Sequence, residues 1–175
     1  MGKIRLESYM VKVFCGIIYR DEDSFAGARQ SLEKYFGPAD IEAGPVSFCF
    51  TKYYEREMGK DLKRRFISFA GLLSAERCFE WKIFTNGIEE SFMDRGLPGR
   101  KVNIDPGYMN TSRVILLSTK DYSHRICLQG GIFAELTMYY MGKGFKFLPW
   151  TYPDYRTSAY LDFFMRMRQK LLTEK

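Results

Sequence analysis

Residues 10–19, M-V-K-V-F-C-G-I-I-Y, are a nearly unbroken apolar run, rich in β-branched and aromatic side chains. That pattern predicts a central strand. Phe25, Ala28, Leu32 and Phe36 then fall on one helical stripe, with Asp23 or Ser24 as cap and Gly37-Pro38 as the stop. A short strand is expected over 45–50, a polar and aromatic connection over 51–59, and a strand over 63–70. Ser74 can cap a helix to about 93, with Cys78, Trp81, Ile88 and Phe92 near one face and Asn86-Gly87 weakening it. The turn-rich 94–99 ends that helix, and 100–105 supplies a further strand.

The order so far is β-α-β-β-α-β, the ferredoxin-like split arrangement. Strands are expected beyond it at 114–118, 124–128, 132–141 and 145–148. Gly130-Gly131 and Gly142-Lys143-Gly144 mark hairpins, and a helix fits 157–172 with Tyr160, Phe164, Met167 and Leu171 on one stripe. The pattern predicts one α+β domain over 1–175, with a ferredoxin-like βαββαβ start extended by antiparallel hairpins. Its sheet is mainly antiparallel, with two to three helices on one face.

Composition adds an emphasis on rings: 15 Phe, 12 Tyr and 2 Trp in 175 residues suit a packed, sheet-rich interior. The net charge of +6 permits anionic partners without naming one, because the basic residues are scattered. Four cysteines at 15, 49, 78 and 127 form no C-x-x-C pair, and one histidine cannot complete a zinc set. They read as small buried hydrophobes in a reducing compartment. The first ten residues lack the apolar core of a secretory leader, and no apolar stretch approaches 18 residues. The expectation is a cytoplasmic protein with no membrane contact.

No G-x-x-x-x-G-K-[ST], G-x-G-x-x-G, H-E-x-x-H or G-x-S-x-G occurs, which removes the common nucleotide, dehydrogenase, zincin and serine-hydrolase signatures. Three stretches carry the unusual polar residues. N-I-D-P-G-Y at 103–108 reads as a strand ending in a D-P-G turn, with Asn103 and Asp105 at the strand end. T-K-D-Y-S-H-R at 119–125 holds His124, the sole histidine. In the strand after it, a two-residue turn at Gln129-Gly130 or Gly130-Gly131 puts Glu135 on the face of His124. A three-residue turn over 129–131 sets Glu135 opposite Arg125 instead. Glu135 interrupts an apolar run, so a partner is expected in either case. L-P-W-T-Y-P-D-Y-R at 148–156 has too much proline for helix or central strand and forms either a cap on the core or a pocket wall bearing Tyr152 and Asp154.

The chain resembles, along nearly its whole length, an uncharacterised prokaryotic single-domain family of unknown function. The similar stretches are 48–59, 62–66, 103–108, 119–126, 131–137 and 149–155. Some members of that family carry the label GTP-binding protein. The resemblance groups Tyr53, Tyr54, Glu57, Arg64, Asn103, Asp105, His124, Arg125, Glu135 and Asp154 in its signature stretches.

The functional expectation is a small anionic ligand in a cleft at one end of the sheet. His124, Glu135 and Asp105 are its candidate catalytic groups. Tyr53, Tyr54, Glu57, Arg64, Asn103, Arg125, Tyr152 and Asp154 are its candidate ligand contacts. Clustered carboxylates suit a hard divalent cation, so metal-assisted hydrolysis or phosphoryl transfer belongs to this expectation. The alternatives are an RNA-binding module, using exposed rings and positive charge, or a protein–protein adaptor.

Overall fold

The computed structural model describes residues 9–93 and 99–174. They form β1 (Met10–Tyr19), α1 (Glu22–Phe36), β2 (Ala39–Ser47), α2 (Glu55–Met58), β3 (Lys63–Phe69), β4 (Leu73–Ser74), α3 (Phe79–Ser91), β5 (Val102–Met109), β6 (Arg113–Ser118), β7 (Arg125–Cys127), β8 (Phe133–Met141), β9 (Gly144–Phe147) and α4 (Ser158–Thr173). The protein is α+β, with a large antiparallel sheet in the order β2-β3-β1-β5-β6-β8-β7; β4 pairs with β1 and β9 with β8. There are four α-helices among the described residues, where two to three were expected.

β1 is central, as its unbroken apolar run predicts, and its alternating side chains serve two cores. Val11, Val13, Cys15, Ile17 and Tyr19 pack with Phe25, Ala28, Leu32 and Phe36 of α1 and Trp81 and Ile88 of α3. Phe14, on the opposite face, packs with Phe66 and with Tyr160, Phe163, Phe164, Met167 and Leu171 of α4. The helices therefore cover both faces, not one. α4 contributes one more core residue than its expected stripe, Phe163, because two adjacent rings straddle Phe14 at centroid distances of 6.4 and 5.2 Å.

Several local expectations shift. Asp21, not Asp23 or Ser24, caps α1 by accepting from the Ser24 amide at 2.8 Å. β2 begins at Ala39 and ends at Ser47, so Phe48 to Phe50 lie beyond it and Cys49 is exposed, as is Cys127; only Cys15 and Cys78 are buried. Residues 94–98 of the expected turn lie outside the described residues. The D-P-G sequence is not a turn: β5 runs through it, with Pro106 opposite Cys15. Proline is tolerated there because β6 pairs with β5 only from Gly107 onward, so position 106 has no ladder partner on that side. Gly107 serves space rather than a turn, since a Cβ there would stand 2.6 Å from the Phe14 ring and 2.5 Å from the Ile115 carbonyl oxygen.

Candidate functional site

Below Gly107 the strands β5 and β6 part, and something other than strand pairing must satisfy the exposed backbone of β5. α3 provides it. Lys82 Nζ donates to the Ile104 carbonyl at 2.7 Å, and Glu89 accepts from the Ile104 amide at 2.8 Å. A cavity of about 430 Å³ occupies the gap, lined by Asn103 and Asp105 of β5, Leu116 to Ser118 of β6, and Lys82 and Asn86 of α3. From the other face come Arg64 and Asp154, and the mouth is walled by Phe48, Phe50, Tyr53, Tyr54, Tyr122 and Tyr152.

Arg64 forms the floor. It is buried, and its Nη1 donates to Asp154 at 2.6 Å while Nη2 lies 3.5 Å from Asp105. Gly16 makes that reach available. In the register it stands between Phe66 and Asp105, and a Cβ on it would meet Arg64 Nη2 and the Phe66 ring at 2.8 Å each. The guanidinium is surrounded by the rings of Phe48, Phe66 and Tyr155, with centroids 4.8 to 5.6 Å away. Burial alone would weaken its charge, but Asp154, Tyr155 and Asp105 outweigh that and hold it protonated more firmly than usual. Its Nε is the one buried side-chain nitrogen or oxygen among the described residues without a hydrogen-bond partner.

The other cations of the cavity are committed to carboxylates behind the wall. Arg100 donates to both oxygens of Glu57 and to Glu89, and Lys82 lies 3.3 Å from Glu89. Arg125 spends its donors on Glu135 (2.8 Å), Ser118, the Lys120 carbonyl and the Tyr152 hydroxyl. Lys120 differs. Its ammonium sits 4.3 Å from the centroid of Tyr53, a ring and not a carboxylate. Burial, with Asp105 among the neighbouring charges, pushes the Tyr54 and Tyr152 hydroxyls upward.

The turn at 129–131 has three residues, with Leu128 and Ile132 hydrogen-bonded across it and Glu135 opposite Arg125. Yet His124 also reaches Glu135, Nε2 to Oε2 at 3.0 Å. His124 is exempt from strand alternation because it lies in the turn before β7, where the Arg125 backbone amide donates to the Tyr122 carbonyl at 2.9 Å. Its ring is sandwiched between Tyr122 and Trp150, at 5.9 and 4.8 Å.

Of the residues expected in one cleft, Tyr53, Tyr54, Arg64, Asn103, Asp105, Arg125, Tyr152 and Asp154 line the cavity. Glu57 stands behind it through Arg100, and Glu135 and His124 stand behind it through Arg125. The expected catalytic trio is thus divided: Asp105 faces the hollow, and His124 and Glu135 support its wall. Asp154 and Glu135 are both held by arginines, and no group of three or more His, Cys, Asp or Glu among the described residues is placed to hold a metal ion. Sequence reasoning missed Lys82, Arg100, Lys120 and Tyr122. The last two lie within the quoted T-K-D-Y-S-H-R stretch, where the histidine drew attention away from its neighbours.

An antiparallel sheet with helices on both faces, opened between two strands into a ring-walled and charge-paired hollow, defines an α+β protein with a candidate ligand cavity. The chain belongs to the domain-of-unknown-function family DUF4416, whose match spans residues 9–171. No curated protein and no solved structure matches it. No helix among the described residues is long and apolar enough to cross a membrane.

Proposed function

We propose that the cavity binds a small organic molecule carrying a flat portion and an anionic group. The carrying observation is Lys120, the one cavity cation whose contact among the described residues is an aromatic face instead of a carboxylate. Tyr53, Tyr122 and Tyr152, all exposed, line the same cavity. Rings of this kind stack on flat ligands, while a cation held only by a ring remains available to an acid. Metal-assisted hydrolysis gains little support from the donor set, since Asp154 and Glu135 are already engaged by arginines and Asp105 is left as a single carboxylate facing the hollow.

Native mass spectrometry of the purified protein, followed by calorimetric titration with acidic aromatic compounds, tests this reading. A bound small molecule, or a titration weakened about tenfold by Lys120→Met, is the expected result, corresponding to about 1.4 kcal/mol. Absence of any small-molecule binding overturns it. A strongly salt-dependent affinity for single-stranded RNA in its place would move the assignment to the nucleic-acid alternative.

We also read β1, α1, β2, β3, α3 and β5 as a ferredoxin-like unit. The β2-β3-β1-β5 order, antiparallel throughout, and the placement of α1 and α3 against one core support that reading.

A further inference from the structure

The cavity's charges do not merely cancel; two of opposite sign are left over in different places. Arg64, Lys82, Arg100 and Arg125 are matched within salt-bridge distance by Asp154, Glu89, Glu57 and Glu135. That leaves Asp105 as a surplus acid on the floor. Its nearest cation, Arg64, is 3.5 Å away and already bound by Asp154 at 2.6 Å. Asn103 Nδ2 donates to Asp105 at 3.2 Å, a neutral contact, so the 3.5 Å pairing with an Arg64 already shared with Asp154 is its one ionic contact among the described residues. The Asp105 side chain is 28% exposed, against 2% for Asp154, so it is open to the hollow. The surplus cation is Lys120, on the exposed loop after β6.

Resting on the cavity reading above, we propose that the ligand is a zwitterion, which presents a protonated amine or similar N–H cation to Asp105 and an acid to Lys120, with its flat portion between the tyrosines. A ligand with a single negative charge meets Lys120 but leaves Asp105 with only its share of Arg64. A dipolar ligand satisfies both, and the pairing with the partly enclosed Asp105 is stronger than it is in open water. The committed arginines then act as walls that fix the geometry and exclude stray ions.

Four probes sharing one phenol ring separate the cases by calorimetry: tyrosine, tyramine, 3-(4-hydroxyphenyl)propionate and 4-ethylphenol. The zwitterion is expected to bind at least tenfold more tightly than either singly charged probe. Asp105→Asn should abolish its advantage over the acid, and Lys120→Met its advantage over the amine. If the acid binds as tightly as the zwitterion and Asp105→Asn changes neither, the zwitterion assignment falls while the anionic-ligand reading stands. If all four bind alike, the assignment falls too; if none binds, both readings fall. Should Asp105→Asn fail to fold, the probe series on the unaltered protein decides the matter by itself.

Discussion

Arg64 and Lys12 are both buried cations on neighbouring strands, β3 and β1, and both are held by aspartates. Lys12 is fully enclosed, and its three donors are used by Asp40 at 2.7 Å, the Phe69 carbonyl at 3.0 Å and Glu174 at 3.2 Å. Asp40 in turn accepts from Ser68 and lies 2.8 Å from Lys170. Nothing is left over. Arg64 has one idle donor, a distant second carboxylate, and a cavity in front of it. A closed polar network holds elements together; the incompletely filled one beside the hollow is what motivates the proposal that a ligand completes it.

Three measurements sharpen that contrast. Arg64→Ala leaves the buried carboxylate of Asp154 without its cation, and denaturant unfolding should show a loss of about 3–5 kcal/mol. Lys12→Met should cost less, about 1–3 kcal/mol, because Asp40 keeps Ser68 and Lys170. The smallest effect is one of pH. Burial would raise the carboxyl of Asp40, but hydrogen bonds from Lys12, Lys170 and Ser68 outweigh it and hold the group below its ordinary value. A carboxylate lowered on folding stabilises fully above its unfolded value, about 3.9, and that stability disappears as pH falls through the folded value. Asp40→Asn should therefore flatten the stability profile below about pH 4. An unchanged acid slope would show that other carboxylates set it.

Much of the scaffold was legible because its signals are local. The apolar run of β1 and the stripes of α1 and α4 need only neighbours in sequence, and each is buried as its pattern implies. D-P-G misled because its turn chemistry is equally local, whereas its real setting depends on where β6 starts to pair. Helices on both faces were likewise hidden: a strand buried on both sides does not say which helix covers which side. For the site, the polar residues of the quoted stretches were legible but their roles were not. Whether an arginine is free or committed depends on carboxylates such as Glu57, which lies in a helix 43 positions from the Arg100 it neutralises. His124 stood out as the sole histidine, yet its ring is a packed spacer between Tyr122 and Trp150 that shares Glu135 with Arg125.

The bare backbone at Gly16 places a remote constraint on the floor of the cavity. One methyl group there would claim the space of the Arg64 guanidinium and crowd the Phe66 ring, although residue 16 is absent from the cavity wall. Strand β1 thus carries, at its middle, a position where the smallest of changes reaches the pocket from behind.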